Sequence, residues 1–188
     1  MRFARLTAVA ATLLACSLLA SCGDSAARHY NRGVIYQKAG RMDHAVEEWQ
    51  AALEMRPDLS PARHSLGAAY ASLGKPEEAA ATYEAALRVD AEDGVARYGL
   101  GAAYDDLGRA DDAVAEWIRA VAVEPSLAGA HYGLARVYAE TDRPEEALHA
   151  YRDAVAANPS LAEYALTDSR LDTIRDLLTP HVDPNEDR

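Results

Sequence analysis

Thiol, imidazole and carboxylate groups are where chemistry could begin in this chain, and their spacing restricts it. The only cysteines, Cys16 and Cys22, both lie near the N-terminus. If the leading segment is removed at most one survives, so no intrachain disulfide is expected. Six histidines are scattered without HxxH, HExxH or paired-cysteine spacing, which gives zinc no site. Asp105, Asp106 and Glu140 could face a hard cation, but they fall short of the ligand number of a calcium loop. No Ser, His and Asp set forms a nucleophile motif, and no glycine-rich loop follows a strand. The residues therefore predict no catalytic machinery, no metal and no cofactor. What remains is recognition.

Composition agrees. The 188-residue chain carries 19 basic and 30 acidic residues, for a net charge of −11. Without Arg2 and Arg5, which lie in a segment expected to be removed, 17 basic residues face 30 acidic ones, a net of −13. Such a surface repels nucleic-acid phosphates and does not spread on anionic lipid, so membrane attachment must be covalent or inserted. Recurrent Ala-Ala pairs favour closely packed helices over sheet.

A short basic head, Met1 to Arg5, precedes 16 residues without charge, Leu6 to Ser21. That run is shorter than the roughly 20 residues of a membrane-spanning helix and suits the core of an export signal. It ends in Leu19-Ala20-Ser21-Cys22-Gly23, which resembles the bacterial lipobox. The resemblance implies a signal peptide over 1–21, cleavage before Cys22 and a lipid anchor on the Cys22 thiol. Leu13-Leu14-Ala15-Cys16 is a weaker second candidate, with bulky Leu14 near the cut. Two or more acyl chains anchor stably. The tether, 22–25, is short enough to keep the folded body at the membrane surface.

Self-similarity is the strongest signal in the rest of the chain. Tyr36, Tyr70, Tyr104 and Tyr138 are spaced by 34 residues; so are Ala45, Ala79, Ala113 and Ala147, and Ala52, Ala86, Ala120 and Ala154. Trp49, Tyr83, Trp117 and Tyr151 keep the same step, and Gly33, Gly67 and Gly101 continue to Ala135. Within a copy, Leu66, Gly67 and Tyr70 share one helical face, and Ala79, Tyr83, Ala86 and Leu87 share another. Gly74 is placed to end the first helix in a left-handed conformation, and Pro76 to begin the second. The acidic pairs Glu77-Glu78, Asp111-Asp112 and Glu145-Glu146 then complement helix dipoles.

These residues resemble the tetratricopeptide pattern, which stands in the third copy as Leu100-Gly101-x-x-Tyr104, then Gly108, Ala113, Trp117, Ala120 and Pro125. The resemblance implies an all-α, right-handed solenoid of four helix-pair repeats over 26–161 (26–59, 60–93, 94–127 and 128–161). The period fades after Pro159; residues 162–179 read as capping helices, with Leu171, Ile174, Leu177 and Leu178 on one face, and 180–188 as a disordered tail. Asp142 replaces the turn glycine in the last copy, so a looser turn is expected there. Tyr36, Tyr70, Tyr104 and Tyr138 are expected in the core.

The resemblance further implies that first helices line a concave, ligand-binding face. Matching places are Tyr30, His64, Tyr98 and Tyr132, then Val34, Ala68, Ala102 and Arg136, with Lys38 at one end and Asp105, Asp106 and Glu140 toward the other. Amphipathic rings there suit either binding or packing between neighbouring helices. The places that would hold the carboxylate clamp of chaperone-tail readers, Tyr30, Val34, Ser65, Val95 and Gly99, carry no such charge. A protein or peptide ligand, apolar or aromatic with a basic part, is expected. The plan resembles small tetratricopeptide lipoproteins that assist pilus secretins, outer-membrane barrels or cell-wall hydrolase complexes. It implies a bacterial envelope adaptor on the periplasmic face, at the outer rather than the inner membrane. A permanent structural subunit using its convex face or cap is the alternative, and an enzyme the least favoured class.

Overall fold

The computed structural model describes residues 25–164 and 167–178. The expected signal peptide, the lipidation candidate Cys22 and the expected disordered tail lie outside the described residues, as do the side chains of Leu177 and Leu178. Helix α1 covers 25–38, so Ser25 belongs to the first helix. There follow α2 (Met42–Met55), α3 (Ser60–Ser72), α4 (Pro76–Val89), α5 (Gly94–Asp106), α6 (Ala110–Val123), α7 (Ala128–Glu140) and α8 (Pro144–Ala157). The short α9 (Leu161–Tyr164), a 3-10 turn (Ser169–Leu171) and α10 (Asp172–Leu178) complete the all-α order. No described helix is long and apolar enough to cross a membrane.

The helices form two compact units divided between Val89 and Asp90. In the first, α2 packs on α3 and α3 on α4, around buried Ala45, Trp49, Ala52, Ala62 and Leu66. In the second, consecutive helices α5 to α8 pack in turn, and α10 lies against α7 and α8. Its core holds Trp117, Leu134, Tyr151, Leu171 and Ile174.

Helix ends follow local chemistry. Pro76 and Pro144 open α4 and α8, with acidic residues in their first turns. Asp93 caps α5 by accepting a 2.9 Å bond from the Ala96 amide. All four first helices end alike: the amides of Arg41, Lys75, Arg109 and Arg143 donate to the carbonyls of Tyr36, Tyr70, Tyr104 and Tyr138, at 2.9, 2.9, 2.8 and 2.9 Å. This is a Schellman closure, and it requires a left-handed residue just before the donor. Gly40, Gly74 and Gly108 supply it at φ of 70°, 69° and 71°, and Asp142 at 57°. The last turn is therefore not looser, because Asp tolerates this conformation better than most side chains. It still carries a Cβ there, so Asp142→Gly should raise the unfolding free energy by up to about 1 kcal/mol in a denaturant titration.

The small-residue columns seat rings. An ideal Cβ on Gly33, Gly67 or Gly101 would lie 2.4 Å from Trp49, 2.6 Å from Tyr83 or 2.5 Å from Trp117. In the first three repeats the aromatic of the second helix thus lies on the bare backbone of its first helix, and Ala45, Ala79, Ala113 and Ala147 in the neighbouring column are fully buried. The consensus tyrosines differ from expectation: Tyr36, Tyr70, Tyr104 and Tyr138 are half-buried rather than core. Turn guanidiniums cover three of them, with Arg41, Arg109 and Arg143 5.0, 4.2 and 4.2 Å from the ring centres.

Candidate ligand-binding cavity

Helix spacing brings six of the proposed groove residues together in the second unit. Tyr98, Ala102, Asp105 and Asp106 sit at steps of four, seven and eight along α5, and Tyr132 and Arg136 are one turn apart on α7. All six line a cavity of about 290 Å³. Gly129 and Gly133 on the α7 wall seat the Tyr98 and Trp117 rings, with ideal Cβ positions 2.7 Å from each, and Asn158 and Leu161 line another side.

Core residues set the position of the walls. Trp117 donates its indole N–H to the Tyr98 carbonyl at 3.1 Å, and Trp49 reaches the Tyr30 carbonyl at 3.3 Å in the first unit. The tyrosine column is thereby tied to the buried tryptophans at its backbone. Its rings do both things their chemistry allowed. Tyr98 lies against Gly129, where an ideal Cβ would be 2.7 Å from the ring, and it also lines the cavity. Tyr30 and Val34 pack against the first unit's core. His64 is half-buried, while Lys38 and Ala68 are exposed.

The acidic end is not open. Arg170, from the 3-10 turn after α9, makes a bidentate pair with Asp105 at 2.8 and 3.0 Å and donates to Glu140 at 2.7 Å. Arg136 stands 3.8 Å from Asp105 and 3.5 Å from Asp168. Tyr132 donates its hydroxyl to Asp168 at 2.8 Å. Burial, then that bond to the carboxylate, holds the Tyr132 phenol well above its ordinary range. Burial, then the neighbouring carboxylates of Asp105 and Asp168, pushes Glu140 up. The expected free carboxylates for a basic ligand are thus corrected: Asp105 and Glu140 already hold a guanidinium of the same chain, and Asp106 alone of the three stays exposed beside the cavity without an ion pair among those described.

Two features escaped the sequence. Arg170 and Asp168 lie outside the repeat, so no column marks them; charge complementarity to Asp105 and Glu140 was the only available signal. The basic column Arg41, Lys75, Arg109 and Arg143 does keep the 34-residue step and could have been found. Two of the scattered histidines have local partners: His29 pairs with Glu48 at 2.7 Å, and His131 lies 3.0 Å from the Pro125 carbonyl.

Tetratricopeptide repeat models match residues 24–92, and 64–125 with 103–162. No curated protein matches the sequence. Among solved structures, pilF of Pseudomonas aeruginosa is 19% identical, covering 84% of this chain and 69% of that one, with a TM-score of 0.70. A thermophilic tetratricopeptide protein of Thermus thermophilus is 23% identical over 80% and 86%, with a TM-score of 0.67. The first such domain of Spaghetti, bound to an HSP90 peptide, is 21% identical over 64% and 95%, with a TM-score of 0.61. At these identities the likeness is one of fold. The helix pairs, the ring seats and the matched models agree, and the chain belongs to the tetratricopeptide repeat family, a class of protein-interaction scaffolds.

Proposed function

We propose that this protein is a membrane-anchored adaptor that holds partner proteins or peptides on the face lined by its first helices. The α5–α7 cavity carries the reading. It sets the half-buried rings of Tyr98 and Tyr132 beside small Ala102, and so offers a partner rigid contact surface around a cavity of about 290 Å³. The chaperone-tail peptide seen with Spaghetti is not the model for the ligand here, because the clamp places carry no cation.

The lipobox-like end at Cys22 supports a place for the adaptor in the bacterial envelope. The periplasmic face of the outer membrane is the proposed site, with partners met at the membrane surface.

Crosslinking from membranes tests both halves. Tyr98→Ala with Tyr132→Ala should reduce partner capture by at least tenfold, about 1.4 kcal/mol, with the helical signal retained. Capture that survives the pair assigns the protein instead to a permanent subunit held through another face. Cys22→Ala should leave an uncut, unlipidated precursor; normal processing of that variant would sink the anchor.

A further inference from the structure

We propose that Asp168–Arg170, the start of the turn that precedes buried Leu171, is an autoinhibitory strap, which closes the Asp105 end of the α5–α7 cavity until it is released for a partner. The inference rests on the groove reading above and adds its regulation. Arg170 bridges the two walls, holding Asp105 on α5 and Glu140 on α7 with one guanidinium. Asp168 reinforces the closure from its own side, accepting from Tyr132 at 2.8 Å and lying 3.5 Å from Arg136.

The strap has two attachments of different kinds. Leu171 and Ile174 are fully buried and anchor its C-terminal side in the core with α7 and α8. The cavity side is held by ion pairs and hydrogen bonds, and Arg170 keeps 26% of its side chain exposed. Of its partners Asp105 is 12% and Glu140 41% exposed, so salt weakens the Glu140 pair most and the Asp105 pair less, and leaves the buried aliphatic contacts in place. The turn can thus swing off the cavity while the cap stays docked. A three-residue turn has no helical stability of its own to resist this.

The repeat itself does not call for these charges. One step of 34 residues from Asp105 stand Ala71 and Ala139, and one step before Arg136 stands Ala102. A permanent lid would be served as well by apolar side chains at these places, since ion pairs removed from water often do no better than a packed apolar set. An ionic seat beside an apolar anchor is what a reversible closure needs.

The test uses the full chain carrying Ala102→Cys, a cavity-lining position, with maleimide labelling at residue 102 read by peptide mass spectrometry. Adding Arg170→Ala should speed labelling roughly five- to tenfold, and about 1 M salt should do the same to the intact strap. Arg170→Lys, which keeps the charge but not the paired hydrogen bonds, should fall between. Crosslinked partner capture should rise with labelling. Labelling unmoved by substitution and by salt would mean that Leu171 and Ile174 alone hold the turn, and the strap fails. Faster labelling with equal or lower capture would refute inhibition. Capture indifferent to Tyr98→Ala with Tyr132→Ala would defeat the groove reading, and inhibition with it, while labelling still reports whether the turn opens.

Discussion

Trp117→Ala should lower the unfolding free energy by about 3–5 kcal/mol, the largest single-residue loss expected in this chain. The ring is 2% exposed and lies between two glycines, with ideal Cβ positions 2.5 Å away at Gly101 and 2.7 Å away at Gly133. Backbone on both sides cannot collapse far into the space the indole leaves, so the cavity term adds to the transfer term. The indole N–H also holds the Tyr98 carbonyl at 3.1 Å, so the loss reaches the cavity wall. Trp117→Phe separates the two effects: it keeps most of the packing and removes the donor, at a further cost of about 1 kcal/mol for the bond. Urea titration followed by Trp49 fluorescence and far-ultraviolet circular dichroism measures both. Tyr98→Ala, at a half-buried position, should cost clearly less; equal losses would show that Tyr98 is core and not groove.

Gly101→Ala should destabilise by roughly 1–3 kcal/mol although it adds only one methyl group. Its Cβ would fall 2.5 Å from Nε1 and 2.6 Å from Cδ1 of Trp117. The indole cannot retreat far, because Gly133 lies against its far edge, where an ideal Cβ would be 2.7 Å from Cζ2. The fourth repeat shows the remedy: Ala135 stands at the glycine place, fully buried, opposite Tyr151. Gly101→Ala combined with Trp117→Tyr should therefore cost less than the sum of the two single changes, by about 1 kcal/mol in a double-mutant cycle. Strict additivity would show that the glycine column serves the helix backbone and not the ring.

These two positions mark how far the periodic signal reaches. Gly101 and Trp117 each keep the 34-residue step, so both columns were legible before any coordinates, while the packing of the ring on the glycine came from the structure. The turn glycines were legible for the same reason, since each closes a contact of five residues. The groove was legible only as a set of places. That Tyr98, Ala102, Asp105 and Asp106 share one side of a helix follows from their spacing; that Tyr132 and Arg136 join them was implied by the tetratricopeptide resemblance. Whether that face is open does not.

By itself, the sequence determined the repeat, the helix pairs and the periodic small and aromatic columns, because each depends on interactions within a short window copied four times. Only the tertiary structure decided that the acidic end is filled. Arg170 meets Asp105 across 65 residues and Glu140 across 30, and Asp168 meets Tyr132 across 36, none of them a repeat step. The same holds for the consensus tyrosines, whose half-burial under turn guanidiniums depends on how a flexible side chain folds back. Period reports what every copy shares; a contact made once, by a segment outside the repeat, leaves no column to read.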